Sequence, residues 1–142
     1  MHFRDLKTNK EFYFWNTHFD HRSQPSREKS AQLILNRVKA LKTKLPVILV
    51  GDFNAVAKAN RAYDTLTGQG AFEDSFETAD KKVNLGWNTF NSFRKTEKGK
   101  RRIDWILTKG SLTTKRTEIV LFDESKQIPS DHQPVTAVIH LK

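Results

Sequence analysis

The chain has 142 residues, of which 37% are hydrophobic and 29% charged, with a formal net charge of +9. This composition is typical of one globular domain and excludes a largely disordered chain. Because cysteine is absent, disulfides, thiolate metal sites and a cysteine nucleophile are excluded. No apolar run approaches the roughly 18 residues of a transmembrane helix, and no signal peptide follows Met1. If Met1 is the true start, we expect a cytoplasmic protein.

The first half predicts a strand, a helix and a second strand. The segment from Glu11 to Thr17 is rich in aromatic residues and predicts a largely buried strand. Apolar residues at helical spacing predict an amphipathic helix from about Arg27 to Lys44, with Ser26 as its cap. Val47 to Val50 is wholly apolar, as in a central strand covered on both faces. This order predicts a sheet with helices packed on it.

The second half predicts further strands joined by loops. A short helix is predicted from Asn60 to Leu66, and Trp87 to Phe93 is either a strand or an extended loop. Strands are predicted at Ile103 to Thr108, Thr117 to Phe122 and Val135 to Leu141. Together the elements indicate an α/β domain.

Four polar clusters stand at the ends of the predicted strands. They are Asn16-Thr17-His18-Phe19-Asp20-His21, Gly51-Asp52-Phe53-Asn54, Arg102-Ile103-Asp104 and Ser130-Asp131-His132. In a sheet packed by helices, residues just past the strand ends converge on a common rim, where ligands bind. Taken singly, most of these clusters are better explained as turns, because Asp and Asn bond their own backbone there. All four in one chain favour a shared site.

Asp104 requires a partner whatever the function. It is a carboxylate inside an apolar strand, and burying such a group is costly unless it is paired. His132 is the candidate partner, because a histidine held by a carboxylate can act as a donor or an acid. Carboxylates such as Asp52 suit a hard cation, and an amide such as Asn54 can donate to an oxyanion.

In their order and spacing, the four clusters resemble the endonuclease/exonuclease/phosphatase superfamily, whose type member is pancreatic deoxyribonuclease. The resemblance runs from Glu11 to the C-terminus and is closest to bacterial metal-dependent hydrolases. It implies one domain over residues 1–142, the C-terminal half of a deoxyribonuclease-like four-layer α/β sandwich, with a mixed β-sheet and helices on its outer face. It also implies Mg²⁺ or Mn²⁺ as cofactor and in-line attack of water on phosphorus.

The resemblance implies roles for individual residues. Asp52 orients or deprotonates the attacking water, and Asn54 hydrogen-bonds the phosphate or the metal-bound water. Asp104 pairs with His132, which contacts a phosphate oxygen or transfers a proton. On the same grounds His18 contacts phosphate or assists the leaving group.

The resemblance also implies that the metal site is incomplete. Asp131 approaches the metal ion, but the family's principal ligand is a Glu in an upstream half that also carries an Asn. Only 15 residues precede Asn16, so we expect that half to be absent. The isolated chain is then less active than its family, or inactive.

Absence of the N-terminal half would leave one sheet face uncovered. Members of the family pack two sheets together, and the N-terminal half supplies roughly one of them. We expect that face to be lined by Phe14, Val47, Leu49, Ile106 and Val135. Each such side chain gains about 1.5–3 kcal/mol on burial, so exposing them all is unfavourable. We therefore expect a homodimer, or association with the missing N-terminal half, through this face.

A basic stretch leads into the Asp104 strand. It contains Arg94, Lys95, Lys98, Lys100, Arg101 and Arg102, opposed by Glu97. We expect Arg94, Lys95, Lys98 and Arg102 to hold a phosphate-containing substrate, with nucleic acid as one candidate. No aromatic platform is interleaved in the stretch, so base-specific reading is not indicated.

Other classes of function compete with hydrolysis. A non-catalytic phosphate- or nucleic-acid-binding module does not need several carboxylates near phosphate, because without a metal they repel it. A truncated half-domain with vestigial motifs stays open. A zinc site of the metallo-β-lactamase type, suggested by His18, Asp20 and His21, receives little weight because Asn16 stands where that family needs another His.

Overall fold

The computed structural model describes residues 1–122 and 128–142, which form an α/β fold with two β-sheets. The strands are His2–Arg4 (β1), Glu11–His18 (β2), Val47–Asp52 (β3), Glu73–Asp74 (β4), Lys81–Val83 (β5), Asp104–Lys109 (β6), Leu112–Ile119 (β7) and Val135–Leu141 (β8). The helices are Gln24–Ala40 (α1), Arg61–Thr67 (α2) and Ser75–Thr78 (α3), with a 3₁₀ turn at Gly68–Gly70. Within the described residues, no helix is both long and apolar enough to span a bilayer.

The larger sheet has the strand order β1-β2-β3-β6-β4, and the smaller sheet has the order β5-β7-β8. Parallel pairing of β2 with β3 and antiparallel pairing of β3 with β6 make the larger sheet mixed. The mixed α/β architecture expected from the sequence is therefore confirmed. The strands β1 and β5 were not predicted, and both are only three residues long.

The bounds of α1 and β7 differ by several residues from the sequence-based prediction. The cap of α1 is Ser23, whose side chain accepts a hydrogen bond from the Ser26 backbone, so the predicted cap at Ser26 was wrong. The helix starts early because Pro25 fits the first turn, where no backbone donor is needed. It ends at Ala40 rather than Lys44. The strand predicted to end at Phe122 ends at Ile119 and begins earlier, at Leu112.

The two faces of the larger sheet pack against different layers. Val47 and Leu49 point towards the helices and are buried with Trp105 in the main core. Ile48 and Ile106 point the other way, in a second apolar cluster that includes residues of β8. This alternation along β3 is the two-residue period of a strand.

The five residues predicted to line one uncovered sheet face therefore lie on two different faces. Val47 and Leu49 do not belong to the uncovered face, because they are 1% and 0% exposed beneath the helices. The chain also supplies three strands of the second sheet, so Phe14, Ile106 and Val135 lie in the cluster between the sheets. Phe14 and Val135 are only half-buried there, which leaves this layer incompletely covered.

Gly51 is required where β3 passes closest to β2. Its φ is +151°, and a Cβ at this position would lie 1.8 Å from the carbonyl oxygen of Thr17. Any side chain must push the two central strands apart. The next residue is Asp52, so the same close approach determines where that carboxylate lies.

We predict that Gly51→Ala destabilises the fold by at least about 3 kcal/mol, because backbone rather than a flexible side chain blocks the methyl group. Urea unfolding followed by circular dichroism measures the change. Gly68→Ala is the matched control, since nothing lies within 4 Å of the position that its Cβ would take. The control should shift stability by no more than about 0.5 kcal/mol. Equal effects of the two substitutions would contradict the assignment.

Candidate active site

Three site residues are aligned by strand register at one edge of the larger sheet. His18 is paired with Asp52 across β2 and β3, and Asp52 is paired with Asp104 across β3 and β6. Two carboxylates directly opposite each other in neighbouring strands repel and destabilise a sheet. The arrangement therefore requires compensation by cationic or hydrogen-bonding groups.

Aromatic packing under this edge fixes the chain where it leaves the strands. Phe53 stacks on Trp105 with ring centroids 4.2 Å apart, and Phe19 meets Phe53 edge-on at 5.0 Å. All three rings are at most 3% exposed. Each is the next residue along the chain from His18, Asp52 or Asp104, so the rings anchor the backbone while the polar side chains face the cleft.

Asp52 is held by groups from three segments. One oxygen accepts a hydrogen bond from the Asn54 backbone at 2.8 Å, and the other accepts from the Asn54 side chain at 3.2 Å. His18 Nε2 lies 3.3 Å from this second oxygen, and His132 Nε2 lies 3.8 Å from it. The Asn54 amide also donates to the Phe19 carbonyl at 3.0 Å. Both amide hydrogens of Asn54 thus have partners, and the side chain positions Asp52 in this arrangement.

Asp104 and His132 form the pair that the sequence suggested. His132 Nδ1 lies 2.9 Å from Asp104 Oδ2 and 3.2 Å from Oδ1. An Nδ1–H donated to the carboxylate leaves Nε2 directed towards Asp52 and the cleft. Burial raises the pKa of Asp104, and the nearby Asp52 charge raises it further, while hydrogen bonds from Thr89 and His132 lower it. The histidine therefore stabilises a carboxylate that is costly to ionise.

The cluster is suited to a hard divalent cation. Among the described residues, Asp52, Asp104 and His132 offer ligand atoms that all lie within 4.8 Å of one another. Mg²⁺ typically binds through one or two carboxylates and substrate phosphate and keeps several waters. Two carboxylates at the edge of an open cleft fit that pattern. This group does not include Asp131, whose backbone carbonyl accepts a hydrogen bond from the Asn91 backbone at 2.8 Å.

An open cleft of about 360 Å³ adjoins the cluster. Its polar side contains Asp52, Asp104 and His132, and its apolar side contains Phe122 and Val135. His18 stands at the edge with 73% of its side chain exposed. The cleft thus combines carboxylates that can bind a cation or accept a proton with imidazoles that can donate one.

The predicted basic set divides into two groups. Arg94, Lys95 and Lys98 are exposed on the loop between β5 and β6. Arg102 is instead buried, with its guanidinium paired to Asp74 and lying over the Phe76 ring. The prediction that Arg102 contacts substrate phosphate conflicts with this position, because its donors already serve a buried carboxylate.

Several supporting residues had no sequence signal. The Thr89 hydroxyl accepts from the Ile103 backbone at 2.9 Å and from the Asp104 backbone at 3.3 Å, which fixes the start of β6. Asp74 also accepts from the Tyr63 hydroxyl at 2.9 Å. Thr89 and Asp74 lie in segments without clear periodicity, so only the folded chain identifies them.

Comparison with known proteins identifies a family and several solved structures that are similar to this chain. Residues 2–132 match the model of the Endonuclease/Exonuclease/phosphatase family. A family member of that description from Bacteroides thetaiotaomicron is 34% identical, with a TM-score of 0.89 over 99% of this chain and 53% of that one. A mannosyl-6-phosphatase from the same organism is also 34% identical, with a TM-score of 0.88 over 97% and 54%.

More distant structures share the fold alone. The catalytic domain of human Nocturnin with a bound sulfate anion is 17% identical, with a TM-score of 0.72 over 99% of this chain and 51% of that one. No curated protein sequence matches the chain significantly. The chain spans about half the length of the solved structures that it matches.

We predict that Arg102→Ala destabilises the protein by about 3–5 kcal/mol, because it leaves the Asp74 carboxylate buried without a cation. Arg94→Ala is the matched control and should change stability by about 0.5 kcal/mol or less, since Arg94 is exposed. Chemical denaturation of both variants measures the difference. An Arg102→Ala variant as stable as the control would restore Arg102 to the substrate-binding set.

Proposed function

We propose, because the chain belongs to the endonuclease/exonuclease/phosphatase family, that its cleft hydrolyses phosphoesters with the help of Mg²⁺ or Mn²⁺. The observation that supports this proposal is the grouping of Asp52, Asp104 and His132 at the edge of one open cleft. The proposal covers phosphodiesters, nucleic acid included, and phosphomonoesters. A phosphomonoester is supported by the similar mannosyl-6-phosphatase.

Asp52 is proposed to hold the attacking water and accept its proton. It lies beside both His18 and His132, and Asn54 fixes it through both the backbone and the side chain. In the substrate complex, we propose that the Asn54 amide can turn from Phe19 to a phosphate oxygen. Asp52 and Asp104 would hold the divalent cation, with Asp131 proposed as a further ligand, and the cation would supply charge stabilisation at the phosphate.

The two histidines are proposed to serve the phosphate oxygens. His132 Nε2 is directed to the cleft because Nδ1 faces Asp104, so it can donate to a non-bridging oxygen. His18 is exposed beside Asp52 and can protonate the leaving oxygen. Arg94, Lys95 and Lys98 add positive charge on the neighbouring loop, which favours approach of an anionic substrate.

A non-catalytic anion-binding module is less well supported. Such a module gains nothing from two carboxylates in register at the binding edge, because they repel phosphate. Hydrolysis gives both carboxylates a task, because both can hold the cation and Asp52 can also accept the proton of the attacking water. The exposed loop cations alone fit either function.

We further propose that the half-covered layer between the sheets is completed by association, with a second copy of the chain or with the N-terminal half of such a protein. Phe14 and Val135 are half-buried in this layer, and Met1, Phe3 and Leu6 are exposed beside β2. Sedimentation of the chain alone should give at least twice the mass of one chain. A well-folded monomer at high concentration would contradict self-association.

We predict that Asp52→Asn lowers kcat/KM for bis(4-nitrophenyl) phosphate or 4-nitrophenyl phosphate by about 10²–10⁴-fold, since the amide cannot accept the proton of water. Asp64→Asn, an identical change on the exposed surface of α2, should leave the rate unchanged. EDTA should abolish turnover, and excess Mg²⁺ or Mn²⁺ should restore it. Turnover that survives both Asp52→Asn and EDTA would refute the proposed site.

A further inference from the structure

We propose that a small pocket in the loop between β5 and β6 is a second oxyanion subsite, which binds a phosphate group of the substrate other than the one hydrolysed. The inference rests on the proposed function and deepens it, because it selects substrates with more than one phosphate. The pocket is separate from the catalytic cleft and shares no lining residue with it. It is lined by Asn88, Phe90, Asn91, Ser92, Arg94, Lys95, Glu97 and Arg101.

Two residues that line the pocket contact the segment that carries His132. Phe90 forms a backbone bridge with His132, and its ring meets the imidazole edge-on with centroids 5.1 Å apart. The next residue, Asn91, donates its backbone N–H to the Asp131 carbonyl at 2.8 Å. Because Phe90 and Asn91 contact His132 and Asp131, one extended ligand can place a phosphate at His132 and a second group at Asn91.

The charge of the pocket favours an anion. Arg94, Lys95 and Arg101 line it against the single carboxylate of Glu97. Arg101 is held in place, because its backbone donates to the Asn88 side chain at 2.9 Å and its guanidinium lies 5.5 Å from the centroid of the Phe90 ring. A guanidinium fixed in this way can present its donors to a phosphate with little loss of side-chain freedom.

The pocket also contains an unused donor. Asn91 Nδ2 is buried and has no hydrogen-bond partner among the described residues. The Oδ1 of the same side chain accepts from the Phe93 backbone at 2.8 Å, which fixes the orientation of the amide. Buried donors are rarely left unpaired in folded proteins, and a small displacement of the Asn91 side chain would offer this one to an oxyanion in the pocket.

Phosphate is the oxyanion that the neighbouring site selects. The cleft at Asp52 and His132 is proposed to bind the scissile phosphate, so a second phosphate on the same molecule can occupy the neighbouring loop pocket. Two phosphate sites on one ligand act together, which raises affinity without any other contact. The source of the second phosphate is either an oligonucleotide chain or a small bisphosphorylated metabolite.

The test measures how much one added phosphate improves binding to the full 142-residue chain by calorimetry, with Ca²⁺ in place of Mg²⁺ to slow turnover. One arm compares the thymidine dinucleotide TpT with its 5′-phosphorylated form. The other arm compares fructose 6-phosphate with fructose 1,6-bisphosphate. We expect a gain of about tenfold or more in at least one arm. The arm with the gain identifies the source.

Three variants, each of which lowers the net charge by one, test whether the gain in affinity arises in this pocket. Asn91→Asp keeps the size and the Oδ1 acceptor but removes the Nδ2 donor, and Arg94→Gln removes an exposed cation. In both variants, the ligand with the second phosphate should bind about as tightly as the ligand without it. Lys29→Gln, on the exposed surface of α1, should retain it. If Asn91→Asp does not fold, Arg94→Gln alone decides the result.

The outcomes separate the two proposals. Binding of the single-phosphate ligands without any gain from the second phosphate overturns the subsite and leaves the proposed function intact. A gain that Lys29→Gln loses as fully as Arg94→Gln overturns the subsite in favour of bulk charge. Failure of every ligand to bind overturns both proposals.

Discussion

The site depends on the register of three strands. Pairing of His18 with Asp52 and of Asp52 with Asp104 places all three side chains at one edge of the larger sheet. Because the side-chain period of a strand is two, a slip of one residue would turn Asp52 into the core and Phe53 into the cleft. The contact of Gly51 with Thr17 and the stacked rings of Phe53 and Trp105 resist such a slip. The packing that stabilises the fold therefore also positions the chemistry.

Placing two carboxylates side by side at this edge is electrostatically unfavourable, which suggests that they serve a function. Asp52 and Asp104 stand opposite each other, and burial with like-charge repulsion raises the pKa of Asp104. His132 contacts both carboxylates and His18 contacts one, so the imidazoles compensate the repulsion only in part. A divalent cation would compensate two carboxylates more fully. The proposed hydrolysis uses both features, the affinity for a cation and the readiness to move protons.

The sequence predicted the parts of the site that follow strands with clear patterns. Asp52 follows a wholly apolar run, and Asp104 is a carboxylate in an apolar strand that requires a partner, so the sequence alone could single out both as candidates. The burial of Arg102 could not be predicted, because it depends on Asp74, which lies on a two-residue strand without any periodic signal. The supporting hydroxyl of Thr89 was missed for the same reason. Long-range pairing, rather than local pattern, decides these positions.

The most direct test of the central claim is where a divalent cation binds. Paramagnetic Mn²⁺ added to the isotopically labelled chain broadens the NMR signals of nearby residues, while diamagnetic Mg²⁺ serves as the reference. The account predicts that substoichiometric Mn²⁺ first broadens the signals of Asp52, Asp104 and His132, and that excess Mg²⁺ reverses the effect. Broadening that begins at other carboxylates, or no broadening at this cluster, would contradict the account.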